Sequence, residues 1–373
     1  MKKQLLLLAL LPALALGFVG CGEDDGTSAT GEGSKPKVAY VTNGIASFWV
    51  IAEKGAQDGA KEFNADVEVL MPPNGVEDQK RMCQDALASG IEGIAISPID
   101  SKNQKELLDE IAENTIMITH DSDAPDSKRL CYIGMDNYQA GRMCGALVKE
   151  TLPDGGNVMI FVGRLGQANA VLRRQGVIDE LLDRSNDNTR YDDPSKGEIK
   201  GDKYTILDTR TDDFDVAKAK AQAQDAISKY DNLDCMVGLF AYNPPLILDA
   251  VREAGKIGKI KLVGFDEEKG TLQGILDGEV HGTVVQNPYE YGRQSVRVLA
   301  ALAKGDKSVL PEGGFMDIPA RSIRKDNVEE FWNELKKLTA TDKPVEPAGE
   351  ETESSEDKKE SEEAPEGFQD VEG

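Results

Sequence analysis

Histidine occurs only at positions 120 and 281, and none of the five cysteines stands in a CxxC pair. These absences remove the ligand spacings of a zinc site, and no metal is expected. Glycine-rich phosphate loops are missing too: there is neither a GxGxxG fingerprint nor a P-loop, so no nucleotide cofactor is expected. Basic residues are outnumbered, 43 Lys and Arg against 67 Asp and Glu, giving a formal net charge of −24. A surface of that sign excludes nucleic acid as a partner, because phosphate binding needs cations. Beyond Val19 no segment is apolar enough to cross a bilayer.

The apolar sequence at the N-terminus has the layout of an export signal. Lys2 and Lys3 precede a run from Leu5 to Val19 that is short for a transmembrane helix, so residues 1–20 read as a signal peptide. The run ends in Phe18-Val19-Gly20-Cys21, which resembles a lipobox and makes Cys21 the expected lipidation site. Residues 21–36, acidic and rich in Gly, Ser and Thr, read as a lipid-anchored flexible tether. The mature chain is thus expected in the periplasm or cell envelope, anchored to a membrane. At the other end, residues 341–373 hold thirteen acids against three lysines and almost no apolar side chains, the composition of an acidic disordered tail. An exported protein can oxidise Cys83, Cys131, Cys144 and Cys235, yet each lies in the apolar context of a small core residue.

From Lys37 onward, short β-branched runs alternate with longer segments of helical period, the pattern of parallel βαβ units. Ten strands are predicted, from Val38–Thr42 to Val280–Val285, with ten helices between 47–64 and 326–338. Ten strands crowd one doubly wound sheet and suit two. The polar stretch Asp183–Lys203 reads as a surface insertion.

Ligands of open parallel sheets bind beyond the carboxyl ends of the strands. The residues at those ends are Asn43, Ser97, Asp121, Asp136, Asn137, Arg164, Asp208, Asn243, Asp266 and Gln286. Amides and carboxylates dominate, and these suit hydroxyl groups, which donate one hydrogen bond and accept others. His120 adjoins Asp121, but strand neighbours point to opposite faces, so a buried structural histidine is expected there rather than acid–base chemistry.

The residues also carry a family resemblance. Ala39-Tyr40-Val41-Thr42 followed by Ser47-Phe48-Trp49, then Gly93-Ile94-Ala95-Ile96-Ser97-Pro98, Ile118-Thr119-His120-Asp121-Ser122, Ile133-Gly134-Met135-Asp136-Asn137 and Val263-Gly264-Phe265-Asp266 fall in order between Lys37 and about Asp306. Together they resemble the ribose-binding-protein-like family of type I periplasmic binding proteins, and with the lipobox a sugar ABC transporter substrate-binding lipoprotein. The resemblance implies an α/β fold of two Rossmann-like three-layer lobes joined by a three-segment hinge. The first lobe would comprise 37–135 plus 287–309 and the second 136–286 plus 310–340, with crossovers near Met135, Gln286 and Leu310. It implies a non-enzymatic, monomeric receptor that takes a monosaccharide between its lobes and presents it to an ABC permease, or alternatively to a chemoreceptor or histidine kinase.

By the same resemblance Phe48 and Trp49 stack on the sugar, Asp121 accepts from its hydroxyls, and Arg173, Phe214, Asn243, Asp266 and Gln286 complete the cleft. Ala46, Ser122 and Val171-Leu172 depart from the ribose binders, so the general site is kept while ribose itself is not implied. Arg173 and Arg174 are adjacent on one helix, so one at most enters the cleft; an arginine there without the motif reads as a solvated helix face.

Overall fold

The computed structural model describes residues 34–339. The signal peptide, Cys21 with most of the tether, and the acidic tail lie outside the described residues. The order of elements is β1 (Lys37–Val41), α1 (Ser47–Glu62), β2 (Asp66–Leu70), α2 (Val76–Ala88), β3 (Gly93–Ile96), α3 (Lys105–Asn114), β4 (Ile116–His120), β5 (Tyr132–Gly134) and α4 (Asn137–Thr151). It continues with β6 (Gly156–Val162), α5 (Ala168–Leu181), β7 (Ile199–Lys200), β8 (Tyr204–Thr211), α6 (Val216–Lys229), β9 (Cys235–Gly238) and α7 (Asn243–Glu253). Last come β10 (Lys261–Phe265), α8 (Lys269–Asp277), β11 (Gly282–Val285), α9 (Pro288–Ala303), β12 (Phe315–Asp317), β13 (Arg321–Arg324) and α10 (Val328–Thr339).

Two sheets result, in the orders β12-β5-β4-β3-β1-β2 and β13-β11-β10-β9-β6-β8-β7. All pairings are parallel except those of the edge strands β7 and β13. Helices cover both faces of each sheet, so central strands such as Gly-Ile-Ala-Ile in β3 are buried throughout and read as continuous apolar runs. Four apolar clusters follow, one on each face of each sheet. Cys83, Cys131, Cys144 and Cys235 are free thiols in these clusters. Burial pushes Cys83 up to about 12 and Cys131 up to about 11, so both stay protonated and unreactive while the chain is folded.

The chain passes from β5 in the first sheet to α4 on the second, and returns from β11 to α9, which packs on α1. The third crossing differs from the expected one near Leu310. Val309 and Leu310 pack into the first lobe's core, and β12 pairs with β5, so the chain leaves only between Asp317 and Arg321. The segment is short and carries Gly313 and Gly314, which hid its strand character from periodicity.

Helix pairs fix the lobes' interiors by close approach. A Cβ on Gly141 of α4 would lie 2.1 Å from the carbonyl oxygen of Arg173 on α5, and one on Gly176 would lie 2.1 Å from that of Tyr138. The backbones therefore touch at the turn that carries Arg173. Gly141→Ala is expected to cost about 1–3 kcal/mol by overpacking, read by calorimetry as a melting point several degrees lower.

The insertion Asp183–Lys203 does more than cover surface. Arg174 is buried rather than solvated: its Nε donates to Thr209 Oγ1 at 2.8 Å and Nη1 to the Asp192 carbonyl at 2.6 Å. Asp179, also fully buried, draws Arg184 and Arg190 down from the insertion and accepts from Tyr138 at 2.8 Å.

Candidate functional site

The carboxyl ends of both sheets face a common cleft of about 620 Å³. Seven of the eight residues singled out from the sequence line it: Phe48, Trp49, Asp121, Arg173, Phe214, Asp266 and Gln286. Asn243 does not reach its surface; it is buried at the start of α7, directly after the lining residues Ala241 and Tyr242.

The first sheet supplies two aromatics and a carboxylate. Phe48 and Trp49 sit on the first turn of α1 and meet edge to face, with ring centroids 4.8 Å apart. Trp49 is oriented by its indole N–H, which donates to Asn43 Oδ1 at 3.1 Å. Asp121 follows β4 in a left-handed conformation with φ of 56°. Its Oδ2 accepts from Ser97 at 2.9 Å, and Tyr132 donates to its backbone carbonyl at 2.8 Å. Burial raises its pKa, against the opposing pull of Arg173 and Ser97. His120, one residue before, is fully buried, stacks on Tyr40 and has its pKa pushed down to about 3 by desolvation, so it is a neutral core residue.

From the second sheet comes a fixed guanidinium. Arg173 is only 1% exposed, yet it is held on three sides: Nε donates to Asn137 Oδ1 at 2.9 Å, Nη1 to the Leu239 carbonyl at 3.2 Å, and the group lies 4.2 Å over the Phe265 ring. Its Nη2 makes no hydrogen bond and points across the cleft to Asp121 Oδ1, 3.9 Å away. Asp266, after β10 with φ of 64°, mirrors Asp121 on this side. One of its oxygens accepts from Gln286 at 2.8 Å, and Gln286 in turn accepts from Tyr291 at 3.2 Å. Desolvation pushes Asp266 up to about 7, with Arg173 opposing and the Asp121 and Glu268 charges adding. At the rim Ser47 donates to Glu268, joining the two lobes by a second contact.

Other strand-end residues take different places. Asn43 and Arg164 line the cleft, Arg164 lying 5.1 Å over the Phe214 ring. Asp136 caps α4, accepting from the Tyr138 and Gln139 amides at 3.0 Å. Asp208 is not at a strand end: β8 runs on to Thr211 beside β6, and Asp208 pairs with Arg210 at 3.1 Å. The residue that follows this strand is Asp212, which the sequence reading passed over. Tyr242, Phe240 and Asn169 were also passed over as site residues, although Tyr242 adjoins Asn243 and Asn169 lies in the Arg173 helix. Among the described residues no cluster fit to hold a metal ion occurs, and no helix is long and apolar enough to cross a membrane.

A buried acid beside the site makes a prediction about stability. Glu267 is 7% exposed and neither carboxylate oxygen has a partner. Desolvation, then the charges of Asp266 and Glu268, raise its pKa well above the usual range. The folded state therefore holds a proton that the unfolded chain releases, so this stability is full at low pH and is lost as pH rises through the folded pKa. Glu267→Gln is expected to leave the melting point near pH 5 almost unchanged and to raise it at pH 8, flattening the pH profile in thermal melts.

Residues 38–307 match the family described as periplasmic binding protein domain. The D-allose-binding periplasmic protein of Escherichia coli (strain K12) is 22% identical over 276 residues, 70% of this chain and 82% of that protein. The ribose import binding protein of the same organism is 24% identical over 280 residues, 74% of this chain and 87% of its own length. Among solved structures, an ABC transporter solute binding protein from Burkholderia graminis C4D1M in complex with D-arabinose superposes with a TM-score of 0.70 at 26% identity, covering 79% of this chain and 97% of that one.

Proposed function

Because this chain belongs to the periplasmic binding protein domain family, we propose that it captures a monosaccharide between its two lobes, leaves it chemically unchanged and presents it to an ABC importer. One observation carries the reading. Arg173 Nη2 is buried without a partner and faces Asp121 across a gap too wide for a hydrogen bond, beside the paired rings of Phe48 and Trp49. A polyhydroxylated ring set there accepts from the arginine, donates to Asp121 and Asp266, and rests its C–H faces on the aromatics. Gln286, Phe214 and Asn169 complete the polar and apolar shell.

Each lobe bears part of that shell, so ligand favours the closed arrangement and the hinge strands at 135–136, 286–287 and 318–320 carry the motion. Export and lipid attachment at Cys21 complete the proposal; fatty-acid labelling that persists in Cys21→Ala would remove Cys21 as the attachment site. The names of the relatives supply the sugars to try. Thermal-shift measurements with D-ribose, D-allose and D-arabinose are expected to stabilise the mature protein by about 2.7 kcal/mol at a hundred times the dissociation constant. A panel of pentoses and hexoses that moves the midpoint nowhere overturns the reading.

A further inference from the structure

Asn137 is the first residue of α4, directly beyond the crossing at 135–136, and it is 5% exposed. Its side chain is tied at both ends. Arg173 Nε donates to its Oδ1 at 2.9 Å, while its Nδ2 donates to the Tyr132 hydroxyl at 3.2 Å and to the Met135 carbonyl at 3.4 Å. Tyr132 belongs to β5 of the first lobe and Arg173 to α5 of the second, so this one amide joins the two lobes at the hinge. Asn137 itself is not part of the cleft surface.

Donor and acceptor count gives this chain of bonds a direction. A guanidinium only donates, so the amide must turn its carbonyl to Arg173 and its NH2 to Tyr132. The tyrosine oxygen then accepts, and its single proton goes to the nearer of two carbonyls, that of Asp121 at 2.8 Å rather than that of Met135 at 3.3 Å. Burial, with the Asp121 charge adding, raises the Tyr132 pKa well above its ordinary value, so the proton stays on. The tyrosine ring is stacked on Phe315 of β12, centroids 5.3 Å apart, and Gly134 clears the space for its hydroxyl: a Cβ there would lie 2.2 Å from the oxygen. The relay therefore runs from Arg173 through Asn137 and Tyr132 to the backbone of Asp121, which is itself left-handed.

The two ends of the relay carry opposite charges that face each other across the cleft. Arg173 Nη2 and Asp121 Oδ1 stand 3.9 Å apart with both side chains almost fully buried, and attraction at that range in a low dielectric favours direct contact. We propose that Asn137 is a positioning residue: gripping Arg173 on one side and, through Tyr132, the Asp121 backbone on the other, it holds the two groups at a separation that leaves both open to a sugar hydroxyl. This rests on the sugar-binding reading above and deepens it, placing a determinant of affinity behind the cleft wall. Without Asn137 the arginine keeps its bond to the Leu239 carbonyl but loses the one at Nε. The guanidinium then turns about the remaining anchor toward Asp121, and a sugar must break that pair to enter.

Calorimetric titration of the mature protein with D-ribose, D-allose and D-arabinose, repeated on Asn137→Leu and Tyr132→Phe, tests this. Asn137→Leu is expected to bind about 10- to 100-fold more weakly, the cost of leaving a buried charged donor without its partner, and Tyr132→Phe about 3- to 10-fold more weakly. The decisive measurement is Asn137→Leu in an Arg173→Lys background. Lysine cannot offer Asn137 the Nε–H of arginine, so a residue that acts through Arg173 has nothing left to position, and the further loss is expected to stay below about threefold. A purely structural role costs the same factor in both backgrounds, and that result overturns the proposal; so does Asn137→Leu binding as wild type does. Should Asn137→Leu not fold, Tyr132→Phe, which removes a single hydroxyl, decides alone: weaker binding supports the relay and unchanged binding overturns it. A wild type that binds none of the sugars overturns the sugar reading itself, and is told apart because it fails before any substitution.

Discussion

Arg173→Met is expected to weaken sugar binding by about 30- to 5,000-fold, which corresponds to about 2–5 kcal/mol, the loss seen when one partner of a buried charged contact is removed. The arginine is locked before any ligand arrives, by Asn137, the Leu239 carbonyl and the Phe265 ring, so little ordering is left to oppose binding. Its loss acts twice. It takes away an unpartnered donor that lies 3.9 Å from Asp121, and it takes away the positive charge that opposes the raised pKa of both Asp121 and Asp266. Arg173→Lys keeps the charge but not the planar fork, so it is expected to recover a minor part of the affinity. Titration calorimetry reads both variants, with circular dichroism confirming that the fold persists. Affinity within threefold of wild type for Arg173→Met would remove Arg173 from the site.

Most of the architecture was legible because parallel sheets covered on both faces leave a simple trace: short buried runs such as Val-Ala-Tyr-Val after Lys37, spaced by helices with one apolar face. Burial on two sides makes such runs apolar at every position, so their existence survives even where their ends shift. The ends were less legible. Strand β8 continues past Asp208 through Thr-Arg-Thr, polar residues that still pair with Ile160, Phe161 and Val162, and this extension moved the strand-end carboxylate from Asp208 to Asp212. Strands β12 and β13 were missed because edge strands of three and four residues are too short to show a hydrophobic period, β13 burying only Ile323. Arg174 was misjudged for a different reason: its burial comes from Asp192 in the insertion, a contact distant from its own helix turn. The cleft carboxylates, by contrast, were readable as polar residues directly following apolar strands, a position that the sheet topology converts into a shared gap.

Affinity for sugar is expected to fall with acid, by about 100-fold between pH 8 and pH 5. In the empty cleft desolvation pushes Asp266 up to about 7, so near neutral pH it is about half protonated. A ligand hydroxyl that donates to it favours the carboxylate and lowers its pKa in the complex. Binding then releases a proton: affinity is full above the free protein's pKa and drops toward tenfold per pH unit below it, until the pKa of the complex is reached. Asp121, raised in the same direction by its own burial, adds to the slope. The ligand-free fold has the opposite trend, since a carboxyl whose folded pKa is raised stabilises most at low pH and loses that contribution as pH rises through about 7. The sugar-induced thermal shift should therefore be small at pH 5 and large at pH 8. Titrations near pH 6.5 in buffers of different ionisation enthalpy would register the released proton, and Asp266→Asn would leave weak binding with only the part of the proton release and pH slope that Asp121 contributes. Equal affinity from pH 5 to pH 8 in the wild type would mean that Asp266 is not in contact with the ligand, whatever its place on the cleft wall.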